Sequence, residues 1–193
     1  MSEVFDRTAR WSTLTYSKES LCSLPWHNDY LDADLCQELD SRHIQSGKFL
    51  DIGAGHGTQS NQLQLRGFDV IGTDINHCFL EHARQLNPYV DFRLDNIIIT
   101  SLTEKFDCAF DRGCFHWLQS RFRPHYVKTI HQLVDDLFFL KVIDKIDTTQ
   151  LPGASEDEII SLFGELFDIQ TVKHGYFNND NQIRSVFFVM VPK

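Results

Sequence analysis

The stretch KFLDIGAGHGTQS, Lys48 to Ser60, carries an acid and then three glycines at every second position, Gly53, Gly55 and Gly57. Glycines at a strand-to-helix turn let a ligand lie against the backbone, and the following helix offers free N–H groups. A dinucleotide turn would read Gly-x-Gly-x-x-Gly. Here Thr58 and Ser60 occupy the places where either register of that pattern needs its last glycine. Asp51 adds a second distinction, because a carboxylate is unhelpful beside a pyrophosphate and useful beside an ammonium or sulfonium group. The next apolar stretch, FDVIGTD, ends in Asp74, 17 residues after Gly57. An acid there can accept both hydroxyls of a ribose. A third stretch ends in Asp95-Asn96, and the Asp95 carboxylate can accept from an exocyclic amine.

A fourth set follows in FDCAFDRGCFHWLQ, Phe106 to Gln119. In an open parallel sheet, ligands gather beyond the carboxyl ends of the strands. Asp111 stands at such an end, followed by Arg112, Cys114, Phe115, His116 and Trp117. His116 is the best-placed general base and Arg112 can fix an anionic group through its fork. Cys114, Phe115 and Trp117 are expected to wall a substrate pocket, which Trp26 and His27 of the N-terminal segment complete. Each also has a plainer expectation: a packed aromatic, a helix-capping histidine, an ion-paired arginine.

The elements that must hold these residues alternate. Strands are expected at Lys48–Ile52, Asp69–Thr73, Val90–Leu94, Phe106–Phe110, Leu137–Ile143, Phe167–His174 and Arg184–Val191. Helices are expected at Leu31–Arg42, Gln59–Arg66, Asn76–Leu86, Arg123–Val134 and Glu156–Phe167, with Asn96–Thr103 ambiguous. Strand–helix alternation of this spacing predicts a parallel sheet with helices on both faces. The last two strands are joined by GYFNNDNQI without a helix, so they should pair antiparallel. The fold class is α/β: a Rossmann-like, seven-stranded mixed sheet ending in an antiparallel hairpin. Residues 1–46 read as an N-terminal helical or lid segment and residues 47–193 as the main domain, together one compact unit.

Composition narrows the function. The net charge of −9 repels phosphate backbones, so no nucleic-acid partner is expected. No apolar run reaches the roughly 18 residues of a membrane span. Five cysteines, an odd number without Cys-x-x-Cys spacing, predict reduced thiols and a cytoplasmic location. Nine scattered histidines without i, i+4 pairing predict no metal site.

FLDIGAGHG, VIGTDIN and LDN together resemble the nucleoside-binding edge of class I S-adenosylmethionine-dependent methyltransferases, over Lys48 to about Lys193. The resemblance implies S-adenosyl-L-methionine as cofactor, with Gly53, Gly55 and Gly57 against it. It also implies Asp51 near the amino-acid end, Asp74 with Ile75 at the ribose, and Asp95 with Asn96 at the adenine. Asp111 would complete the cofactor edge. DRGCFH, with LPWHNDY before the core and SEDEIISLFGELFDI after it, is similar to the tellurite-resistance and thiopurine or thiol branch. That implies methyl transfer to a small molecule, a thiol or another soft nucleophile. The DNA-amino signature Asn/Asp-Pro-Pro-Tyr/Phe is missing after the fourth strand, where DRGCF stands. A protein or peptide methyltransferase, and a nucleoside-binding module without turnover, are the competing expectations.

Overall fold

The computed structural model describes residues 28–145, 152–178 and 183–193. Trp26 and His27 lie outside the described residues. Among the described residues the chain runs α1 (Ala33–Ser41), β1 (Lys48–Ile52), α2 (Thr58–Leu65), β2 (Asp69–Asp74), α3 (His77–Leu86) and β3 (Asp91–Leu94). It continues through β4 (Phe106–Arg112), two short 3₁₀ turns, α4 (Arg123–Leu133), β5 (Val134–Ile143), α5 (Glu156–Phe163), β6 (Phe167–Tyr176) and β7 (Arg184–Pro192).

The seven strands form one sheet in the order β3-β2-β1-β4-β5-β7-β6. The first five are parallel, and β7 is antiparallel to both β5 and β6. This is the expected mixed sheet with its terminal hairpin. The chain moves outward through β2 and β3 on one side of β1 and through β4 and β5 on the other. The crevice between β1 and β4 is therefore the switch point where such sheets bind ligands. The hairpin folds back so that β7, not β6, contacts β5. Composition explains the order: Ser185 to Met190 are all buried, whereas β6 after Phe167 has only half-buried and exposed positions, as an edge strand does.

Two apolar cores cover the two faces. Leu35 and Leu39 of α1, Leu63 of α2 and Leu80 of α3 pack with Phe49, Phe110, Phe139 and Phe187. Tyr126 and Ile130 of α4 and Ile159 and Phe163 of α5 pack with Leu50, Phe138, Leu140 and Phe188 on the other face. Alternation along a strand fixes which face each polar side chain meets. Asp51 follows Phe49 toward α1–α3, and Lys141 follows Phe139 the same way. Arg112 turns toward α1, while Asp111 turns toward α4.

Two boundaries differ from the sequence expectation by three residues or more. β5 begins at Val134, directly after α4, because the exposed Asp135 and Asp136 sit on an extended chain that sequence pattern reads as a breaker. α5 stops at Phe163, capped by Gly164, which frees Phe167 to start β6. The ambiguous 96–103 segment is a loop organised by Asp95.

Candidate active site

The glycine loop connects β1 to α2 with positive φ at Gly53 (71°), Gly55 (55°) and Gly57 (79°). A Cβ at Gly53 would sit 2.6 Å from the Cβ of Cys114, so this glycine lets the turn after β4 close onto the loop. At Gly55 the only atom of the described residues within reach of an added Cβ is the Gly53 carbonyl oxygen at 4.0 Å. Gly55 thus faces open space, as a loop that admits a ligand to its backbone must. Gly57 caps α2 without any side-chain bond, leaving the first amides of that helix to the loop.

Asp74 ends β2 and fastens the loop: its Oδ2 accepts from the Gly55 amide at 2.9 Å and its Oδ1 from the Asn76 amide at 2.8 Å. Each oxygen keeps a lone pair for a further donor. Ile75 follows it, half-buried, and Asn76 caps α3 by accepting from the Cys78 and Phe79 amides. The Asp95 amide donates to the Asp74 carbonyl at 3.0 Å, which draws the β3 end alongside. The Asp95 carboxylate itself accepts from Thr100 Oγ1, the Ser101 amide and Ser101 Oγ. Half-buried Asn96 accepts from the Ile98 amide. Asp51 is buried and accepts from Ser60 Oγ at 2.5 Å. Burial first, then the nearby Asp74 charge, pushes its carboxyl up to about 6 against the pull of Ser60 and Arg112.

The turn after β4 places five residues differently from expectation. Asp111 is fully buried and accepts from the Cys114 and Phe115 amides and from Tyr126 OH at 2.5 Å. It shapes the turn from behind instead of presenting a carboxylate to a ligand, and burial pushes it up to about 7. His116 is also buried; its Nδ1 accepts from the Ile143 amide at 3.2 Å. Burial, then Arg123 and Arg112, lower it to about 3. The imidazole is a neutral brace between the turn and β5, with the lone pair a general base needs already engaged. Arg112 spends its fork inside the protein, on Asp32 Oδ2 (3.0 Å), the Phe177 carbonyl (2.7 Å) and Asn178 Oδ1 (2.6 Å). Phe115 lies in the core against Tyr126 and Phe163, not on a pocket wall. Cys114 is half-buried beside Gly53, its thiol pushed well up by burial and the surrounding carboxylates, which makes it a packing group. Trp117 is the exposed aromatic of the turn, its ring 6.1 Å from that of His116.

Sequence reasoning missed the group that ties this edge together. Lys141 of β5 is buried and reaches Asp32 Oδ2 at 2.9 Å and Asp34 Oδ2 at 2.8 Å. Asp32, buried too, also pairs with Arg112, and its amide donates to Gln59 Oε1 of α2 at 2.8 Å. Burial alone would raise the Asp32 carboxyl, but Lys141 and Arg112 together hold it below the ordinary carboxylate value. The available signal was a lysine alone within the apolar run LFFLKVI, on the side that strand alternation buries. Among the described residues no group of three His, Cys, Asp or Glu side chains is arranged to hold a metal ion. No described helix is long and apolar enough to cross a membrane.

Residues 49–136, which include the glycine loop and the turn after β4, match the family described as methyltransferase domain. Over those residues the chain is similar to a methyltransferase domain. It is 27% identical over 137 residues to a protein of Invertebrate iridescent virus 6 named as methyltransferase 235L, covering 69% of this chain and 49% of the relative. An uncharacterized methyltransferase of Schizosaccharomyces pombe, C70.08c, is 32% identical over 96 residues, 46% of this chain and 36% of the relative. The chain therefore spans half or less of the length of these curated relatives. The fold recurs in the TehB-like SAM-dependent methyltransferase of Corynebacterium glutamicum (TM-score 0.70, 16% identity, 98% of this chain and 97% of that one). It recurs in the magnesium protoporphyrin IX methyltransferase of Synechocystis, solved with bound SAH (TM-score 0.73, 18% identity, 100% and 95%). A third is the 1,6-didemethyltoxoflavin N1-methyltransferase of Burkholderia thailandensis, solved with its substrate and S-adenosylhomocysteine (TM-score 0.68, 19% identity, 83% and 77%). These solved methyltransferases share the overall fold of this chain.

Proposed function

We propose that this chain is an S-adenosylmethionine-dependent methyltransferase acting on a small-molecule acceptor. One observation carries the cofactor half: Asp74 holds the Gly55 amide at 2.9 Å while Gly55 faces open space and both carboxylate oxygens keep acceptor capacity. Such a carboxylate suits a ribose diol, and the loop suits a chain laid against its backbone. Asp74 would hold the ribose, Gly53 and Gly55 would line the path toward the amino-acid end, and Asp95 with Asn96 would border the base. Bound there, the cofactor supplies a methyl group on a sulfonium, already a good leaving group.

What remains for the residues of the chain is to align the acceptor and exclude water. The internal use of the His116 lone pair favours an acceptor that is nucleophilic without a base, such as a thiolate. Trp117 offers an aromatic face at the same turn. The net charge of −9 supports a small acceptor over a nucleic acid. The porphyrin and toxoflavin methyltransferases that share the fold are named for small acceptors, which is in keeping with this reading.

Calorimetric titration of S-adenosylmethionine and S-adenosylhomocysteine into the wild type and Asp74→Ala tests the assignment. Micromolar binding by the wild type and at least a tenfold loss in the variant are expected, followed by methylation in a screen that begins with thiols. Absence of binding by the wild type to either ligand would refute the cofactor assignment.

A further inference from the structure

Asp51 and Asp74 stand on adjacent parallel strands whose register pairs Ile52 with Thr73. Alternation puts both side chains on the sheet face that carries α2. Their direct partners are neutral: the Ser60 hydroxyl for Asp51, the Gly55 and Asn76 amides for Asp74. Among the described residues no lysine or arginine is ion-paired to either carboxylate, unlike Asp32 on the same side of the sheet.

The other charged and titratable groups facing the pair come from four elements. Arg112 of β4 favours ionisation of Asp51 from a distance while bonded to Asp32. Asp111, on the opposite face of β4, opposes the Asp51 charge and is itself bonded by Tyr126 of α4. The Cys114 thiol is held protonated. His56 of the glycine loop packs its ring on Phe79 and His82 of α3. Two carboxylates side by side in a poorly solvated setting disfavour each other's charge. Burial and Asp74 raise Asp51 to about 6, and burial raises Asp74 as well.

We propose that the Asp51–Asp74 pair is a charge selector that takes up the cationic methyl donor with loss of a proton to solvent, and so holds it in preference to the net-neutral demethylated product. The inference rests on the cofactor assignment above. S-adenosylmethionine carries ammonium, carboxylate and sulfonium charges, net +1. S-adenosylhomocysteine has lost the sulfonium charge and is net neutral. In a buried setting a charge difference acts strongly without direct contact. The pair therefore favours departure of the spent cofactor once its sulfonium charge is gone.

The test is calorimetry with both ligands between pH 5 and 7, where the ligand ammonium, with an ordinary value of about 8, stays protonated. Titrations at pH 6 in two buffers of different ionisation enthalpy count the protons released. With Asp51 at about 6, donor affinity is expected to fall about tenfold from pH 7 to pH 5, with about half a proton released per donor bound at pH 6. Product affinity should fall clearly less, so the preference for donor narrows in acid. Asp51→Asn should bind donor weakly with a flat pH profile. Donor and product affinities that change equally, or not at all, would overturn the selector while leaving the cofactor assignment intact. Failure of both ligands to bind at every pH would refute the assignment itself and the selector with it.

Discussion

Lys141→Met tests the energetic weight of the buried ion node. Methionine keeps the apolar stem of the lysine within β5 and removes the ammonium that lies 2.9 Å from Asp32 Oδ2 and 2.8 Å from Asp34 Oδ2. Asp32 is about 1% exposed and cannot exchange the lost partner for water, whereas Asp34 is better solvated. Breaking a buried pair from one side costs about 3–5 kcal/mol. Here Arg112 Nε stays on Asp32 Oδ2 at 3.0 Å and the Asp34 amide on Oδ1 at 3.1 Å, which places the expected loss at the lower end, about 3 kcal/mol. Urea unfolding at pH 7 measures it as a fall in midpoint at constant slope. The pH dependence has a definite sign. In the wild type the depressed Asp32 value contributes stability above its unfolded value near 4, lost only in stronger acid. In the variant Asp32 titrates higher, so the gap between the two proteins should narrow as pH falls toward 4. Adding Asp32→Asn to Lys141→Met should recover part of the loss, since the stranded charge is gone. A loss under about 0.5 kcal/mol at pH 7, independent of pH, would refute the account of the node as a coupled buried pair.

Other outcomes follow from the turn after β4. Burial raises Asp111 to about 7, so its contribution is fully favourable below the unfolded value near 4 and is lost as pH rises through about 7. Asp111→Asn should match the wild type in stability at pH 4 and exceed it by up to about 4 kcal/mol at pH 8, read from parallel urea curves. A constant difference across that range would contradict the raised value. His116→Leu should cost about 1–3 kcal/mol by stranding the Ile143 amide, and His116→Asn, whose Oδ1 can replace Nδ1, should recover most of it. Once an acceptor is found, the rate should show no inflection near 6.5 from this residue; such an inflection, abolished in His116→Asn, would restore the general-base role.

The glycine-and-acid edge was legible in the sequence because local chemistry dictates it. Three glycines at positive φ and acids ending successive strands are fixed by the turn and by alternation along each strand, so Asp51, Gly55 and Asp74 fall where the pattern puts them. The strand and helix order was legible for the same reason. The turn after β4 was not. Asp111, His116 and Arg112 are the residue types of catalysis, and nothing local distinguishes a base from a brace. That choice depends on Ile143, Tyr126 and Asp32, which lie 15 to 80 positions away and arrive only through β5, α4 and α1.

By itself the sequence determined the α/β alternation, the mixed sheet and the glycine-and-acid edge, since each rests on spacing within one strand–turn–helix unit. Tertiary structure alone decided that β7 lies inside β6, that Lys141 and Asp32 meet across 109 positions, and that His116 is neutral. The physical reason is burial: the strength of a charge and the freedom of a lone pair depend on what packs around them, and packing joins residues that spacing keeps apart.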